Sequence, residues 1–126
     1  MEPPKRVMVV EDNEPNRQLL KDLLEMVFLC EVDAVEDGEK AVEKTENDPP
    51  DLILMDVSLP GMDGVEAMLR IKKQHPQGGP PCLALTGYAA ENQKRALLAE
   101  GFDGFLPKPF DVPQLLDTLS AYLTRK

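Results

Sequence analysis

Tryptophan is absent, aromatic residues make up only 5% of the 126 residues, and there is one histidine. The core must therefore be aliphatic, and a site built from several imidazoles, as in many zinc or iron centres, is excluded. Two cysteines, Cys30 and Cys82, lie in apolar surroundings without CxxC spacing. Only His75 could join them, so they read as buried reduced thiols rather than a metal site or a disulfide. His75 itself, beside Pro76, reads as a solvated loop residue with no role. Basic charge is also short: 14 Lys and Arg against 23 Asp and Glu give a formal net charge of -9. That balance disfavours direct binding to nucleic acid, which normally needs a basic face. No apolar run approaches the roughly 20 residues that span a bilayer, and the opening MEPPKRV has no apolar signal stretch after its basic residues. A cytoplasmic protein is expected, acting on genes, if at all, through another protein.

The length suits one compact domain over residues 1–126. RVMVV, residues 6–10, is a short β-branched run that reads as a strand buried on both faces. Leu19, Leu20, Leu23, Leu24, Val27 and Phe28 then recur at helical spacing, with Asn13 placed to cap and Pro15 tolerable in the first turn. CEVDAV near residues 30–35 gives a second, less distinct strand, and Gly38 opens a helix that NDPPD breaks. DLILMD, residues 51–56, is a buried strand followed by the turn SLPGMDG and a helix marked by Val65, Met68, Leu69 and Lys72. CLALT (82–86) is the fourth strand, with a helix from about Ala90 to Glu100 and Gly101 at its C-cap. GFLP makes a brief fifth strand, and Asp111 caps a closing amphipathic helix through Leu123. No effector domain is expected after that helix.

Five βα units imply an α/β fold: a parallel sheet with helices on both faces, since crossovers are right-handed. Strand order 2-1-3-4-5, the flavodoxin-like (βα)5 arrangement, is the common solution, and periodicity alone also admits 3-2-1-4-5. In either order, ligands bind beyond the carboxyl ends of the strands. Glu11 and Asp12 follow strand 1, Asp56 ends strand 3, Thr86 ends strand 4, and Lys108 follows strand 5. Three carboxylates in one crevice repel one another unless a cation neutralises them. Oxygen donors without imidazole or thiolate favour a hard ion, and few protein ligands favour Mg²⁺ over Ca²⁺. With Lys108 as a point charge for an anion and Thr86 as a hydroxyl donor, the set suits phosphoryl transfer to a carboxylate.

The segments VMVVEDN, DLILMDVSLPGMDG, ALTGYA and FLPKPF, in that order and approximate spacing, resemble the receiver domains of two-component response regulators, and the match covers nearly the whole chain. The resemblance implies that Asp56 is the phosphoacceptor and that Asp12 binds Mg²⁺ directly. Glu11 would act through water, and the Ser58 backbone carbonyl would be a further ligand. It also implies that Lys108 pairs with the phosphoryl group, that Thr86 is the switch hydroxyl and Phe105 the switch aromatic, and that the Lys108-Pro109 peptide is cis. The acidic pair here is Glu-Asp rather than Asp-Asp, and Phe105 lacks a tyrosine hydroxyl. Ser58 and Tyr88, each two residues beyond Asp56 and Thr86, are expected to flank an attacking water.

On this reading the chain is not an enzyme beyond slow self-phosphorylation and autodephosphorylation. Its partners would be a histidine kinase or histidine phosphotransfer protein and a downstream protein target, with no direct nucleic acid and no membrane. Output would be a change in the face made by helix 4, strand 5 and helix 5. A standalone regulator, a relay intermediate and a receiver excised from a hybrid histidine kinase all fit. Two other classes share such a sheet. A haloacid-dehalogenase type phosphohydrolase needs an acid two residues after its nucleophile, where Ser58 stands. A flavodoxin-like electron carrier needs a Ser/Thr/Gly-rich phosphate loop where this chain has EDNEP.

Overall fold

The computed structural model describes residues 3–87 and 91–123. Strands and helices alternate: β1 Arg6–Val10, α1 Glu14–Val27, β2 Glu31–Val35, α2 Gly38–Asn47, β3 Leu52–Asp56, α3 Gly64–Gln74, β4 Cys82–Thr86, α4 Glu91–Glu100, β5 Gly104–Pro107 and α5 Val112–Leu123. All strand pairs are parallel and the order is β2-β1-β3-β4-β5, so 3-2-1-4-5 is ruled out. The second strand begins one residue later than the sequence pattern suggests. Its burial alternates because it is an edge, paired only with β1. Ala90 and Tyr88 lie outside the described residues.

The pleat divides the core in two. Val7, Val9, Leu54 and Leu85 face one side, where they meet Leu20 and Leu24 of α1 and Leu115, Leu119 and Leu123 of α5. Met8, Val10, Ile53 and Met55 face the other, against Ala41 of α2, Ala67, Met68 and Ile71 of α3 and Leu97 of α4. Strands covered on both faces must be apolar throughout, and every residue of β3 and β4 is buried. Cys30 and Cys82 belong to this interior; burial pushes the Cys82 thiol up, away from the reactive thiolate form.

Helix ends are set by side chains. Asn13, Asp37, Asp63 and Asp111 accept hydrogen bonds from the backbone N–H three residues on, at 2.9, 2.8, 2.8 and 3.3 Å. Of these, sequence analysis identified Asn13 and Asp111; Asp37, rather than Gly38 itself, supplies the cap of α2. Gly101 closes α4 at φ +131°, with its own N–H donating to Leu98 and that of Phe102 to Leu97.

His75 is not the solvated loop residue expected. It is half-buried at the end of α3, and its Nε2 lies 3.1 Å from the Thr45 carbonyl oxygen. The helical donor for that carbonyl would be residue 49, which is Pro49 and has no N–H, so the imidazole takes its place. Next to it, the Gln74 amide donates to the Val42 carbonyl at 3.0 Å, giving α3 two polar ties to α2. His75→Ala is expected to cost about 1 kcal/mol, the usual net loss when a part-buried carbonyl loses its donor. The check is the urea midpoint, and an unchanged midpoint would refute the tie.

Candidate functional site

Parallel pairing brings the carboxyl ends of β1, β3, β4 and β5 to one edge. Val10 is level with Met55, Asp56 with Leu85, and Thr86 with Pro107, so the residues just after each strand converge. Glu11 is held there by its N–H to the Val35 carbonyl at 3.1 Å, and Lys108 by its N–H to the Thr86 carbonyl at 2.7 Å. The peptide between Lys108 and Pro109 is cis, as expected.

Carboxylate oxygens of Glu11, Asp12 and Asp56 all lie within 4.8 Å of one another. Glu11 is fully buried, Asp56 is 2% exposed, and Asp12 faces solvent. Lys108 Nζ stands 2.9 Å from Glu11 Oε1 and 3.1 Å from Asp56 Oδ2. The other Asp56 oxygen, Oδ1, accepts the Ser58 N–H at 3.0 Å. Five of the residues singled out in the sequence therefore meet at one point: Glu11, Asp12, Asp56, Ser58 and Lys108. Thr86 is buried at the end of the adjacent β4. Phe105 is set apart from this cluster, half-buried on β5 opposite Ala84, with the Lys94 ammonium 5.1 Å from its ring centroid.

One ammonium does not balance three carboxylates. Burial, followed by the neighbouring Glu11 charge, pushes Asp56 up to about 7; Lys108 and the Ser58 N–H pull the other way. Burial would also raise Glu11, but its contacts with Asp56 and Lys108 outweigh that and hold it below the usual carboxylate range. Burial alone would lower Lys108, yet its two carboxylate partners raise it, so it is a fixed cation.

The donor set fits a hard divalent cation. Three carboxylates share one ammonium, and oxygens of Glu11, Asp12 and Asp56 lie within 4.8 Å of one another with no imidazole or thiolate among them. A cluster of oxygens with surplus negative charge is what a small hard cation would satisfy.

Arg17 was not singled out in the sequence. Its guanidinium reaches back from α1 to the carbonyls of Glu11 and Asp12, at 2.9 and 3.4 Å. The only signal in the sequence is an Arg within the first turns of a helix that starts right after the acidic pair. Lys94 likewise carried no mark of its contact with Phe105.

Known proteins bear on this geometry. The chain is 43% identical over 113 residues to the sensor protein GacS of Pseudomonas syringae pv. syringae. That match covers 87% of the chain but only 12% of GacS. It is 36% identical over 120 residues to the chemotaxis protein CheY of Halobacterium salinarum, covering 95% of this chain and 98% of that one. Among solved structures, the receiver domain of the Pseudomonas aeruginosa sensor histidine kinase PA1611 superposes with a TM-score of 0.84 at 31% identity, covering 98% and 100% of the two chains. That structure has a magnesium ion coordinated in its active site cleft. The receiver domain of Saccharomyces cerevisiae Ssk1, solved with the histidine phosphotransfer protein Ypd1, gives 0.84 at 26% identity over 98% and 91%. The model of the response regulator receiver domain family matches residues 7–120, and the chain belongs to that family, the receiver domains of two-component systems.

Proposed function

We propose that Asp56 is the phosphoacceptor of this receiver domain, taking a phosphoryl group from a phosphohistidine. The observation that carries this reading is a buried aspartate at a strand end whose two oxygens are held by a backbone N–H and a lysine. One carboxylate oxygen of Asp56 attacks phosphorus as the bond to the histidine nitrogen breaks, giving an acyl phosphate and a free imidazole. Lys108 stays charged throughout and pairs with the incoming oxygens. Thr86, buried at the end of β4, supplies a hydroxyl donor. Asp12 and Asp56 would hold Mg²⁺, with Glu11 through water and the Ser58 carbonyl as a further ligand. When bound, the ion neutralises the carboxylates and the negative oxygens of the transferred group. The magnesium in the PA1611 receiver supports this choice of ion. Ser58 carries no ionisable group to drive rapid turnover, which favours a switch with only slow self-phosphorylation and autodephosphorylation.

The phosphate adds about two negative charges at the crevice. Movement of Thr86 toward them would open space beside β4, and Phe105 would gain burial by turning inward, giving up the Lys94 contact and changing the α4, β5 and α5 face. A histidine kinase or phosphotransfer protein is the proposed donor, by analogy with the Ssk1 receiver and Ypd1, and a downstream protein target would read the changed face.

With acetyl phosphate and Mg²⁺, intact mass should rise by one phosphoryl group in wild type and not in Asp56→Asn. EDTA should abolish the gain. Equal modification of the variant would remove Asp56 from its role, and indifference to EDTA would remove the metal. In the same protein treated with beryllofluoride, amide shifts should reach Phe105 and α5, and shifts confined to the crevice would rule out that output face.

A further inference from the structure

The β1–α1 turn must present two carboxylates from adjacent residues while keeping its own backbone polar groups satisfied. Arg17 answers the second need. Its Nη1 donates to the Glu11 carbonyl at 2.9 Å and to the Asp12 carbonyl at 3.4 Å, while its own N–H donates to the Asn13 carbonyl at 2.9 Å. Within the same turn the Asn13 N–H donates to Glu11 Oε2 at 3.3 Å. The main chain of both acidic residues is therefore gripped by one guanidinium, while their side chains gather with Asp56 within 4.8 Å.

We infer that Arg17 is a positioning residue for the cation site, an inference that rests on the proposed Mg²⁺ reading of Glu11, Asp12 and Asp56. The two N–H groups of Nη1 are fixed in the guanidinium plane, so this one nitrogen of the half-buried Arg17 can hold both carbonyls in set directions, whereas a lysine ammonium is a freely rotating point charge. Holding the turn lowers the cost of bringing like charges together before the cation arrives. Arg17 also adds positive charge near the site, and that charge by itself repels a cation. The two effects have opposite signs. Removing a mere charge tightens Mg²⁺ binding, whereas removing a positioning group loosens it.

The experiment is Mg²⁺ titration of the unphosphorylated protein, followed by calorimetry and amide NMR, for wild type, Arg17→Lys, Arg17→Gln and His75→Ala. Both Arg17 variants should bind Mg²⁺ roughly tenfold more weakly, the effect of losing a group that orients metal ligands. In the metal-free state their amide shifts should change at residues 11–13. His75→Ala, which loosens the fold far from the crevice, should bind like wild type. Tighter or unchanged binding by Arg17→Gln overturns the inference, as does an equal loss in His75→Ala. Should Arg17→Gln fail to fold, Arg17→Lys carries the test with the same outcomes. If wild type binds no Mg²⁺ at millimolar concentration, the site reading itself fails, a result separate from wild-type binding matched by both variants.

Discussion

Gly64→Ala is expected to destabilise the domain by at least about 3 kcal/mol, lowering its melting temperature by roughly 10 °C or more. Gly64 is the first residue of α3, and its N–H donates to the Val57 carbonyl at 3.0 Å, so the start of the helix lies directly on the backbone that leaves β3. A Cβ there would collide with the Asp56 carbonyl oxygen and sit 2.8 Å from both the Asp56 carbonyl carbon and Val57 Cα. All three are main-chain atoms of the strand end that carries Asp56, so no flexible side chain can yield. Relief requires moving α3 or the strand end itself, and Mg²⁺ affinity should fall together with stability. Gly61→Ala is the informative contrast. Gly61 has φ +72°, but its nearest neighbour is the movable Glu39 carboxylate at 3.2 Å, so only the backbone preference, about 1 kcal/mol, is at stake. A Gly64→Ala protein that melts within a degree or two of wild type would show that this close approach is not a constraint.

Asp56→Asn should stabilise the metal-free protein, with a pH dependence of definite sign. The folded carboxyl is pushed from its ordinary 3.8 to about 7, so the stability of wild type relative to the variant is present in full below about 3.8 and is lost as pH rises through 7. A shift of that size corresponds to roughly 4 kcal/mol. Asp56 is almost fully buried, but Lys108 keeps its pairing with Glu11 in the variant, so the net gain expected at pH 8 is about 2 kcal/mol. Near pH 4 the two proteins should be close to equal. Saturating Mg²⁺ should reverse the order at pH 8, because the ion rewards the ionised aspartate and adds stability only where it binds. Denaturant titrations at pH 4 and 8, with and without Mg²⁺, give the four values. A gain for Asn that is flat with pH would contradict the buried-charge account.

Much of this was legible in the sequence because the signals were of two strong kinds. β3 and β4 are covered on both faces, so LILMD and CLALT are unbroken apolar runs, and residues after strand ends in a parallel sheet must share an edge. Those two signals suffice to bring Glu11, Asp12, Asp56 and Lys108 to one edge. Strand order was less accessible, since 2-1-3-4-5 and 3-2-1-4-5 have the same periodicity and differ only in pairing. Features that depend on a side chain meeting the main chain of a distant element were invisible. His75 finds a carbonyl freed by Pro49, and Arg17 folds back onto the turn that precedes its helix. Neither leaves a pattern, because Arg, His and Pro occur at many surface positions for other reasons.

Burial and strand pairing also fall off from the middle of the sheet to its β5 margin. Asp56 stands on β3, hydrogen-bonded to neighbours on both sides and wholly buried. Phe105 stands on β5, an outer strand with one buried residue in four, and α4, whose Lys94 lies over that ring, buries only Leu97 among the described residues. Amide protons of β3 should exchange only through global unfolding, whereas those of α4 and β5 need a much smaller local opening. On the proposed reading, a few kcal/mol of phosphoryl pairing would be slight beside the free energy that keeps the middle closed, yet comparable to what a local opening at the margin needs. The charge would be received where the chain barely yields, and the response would emerge at a margin that yields more easily.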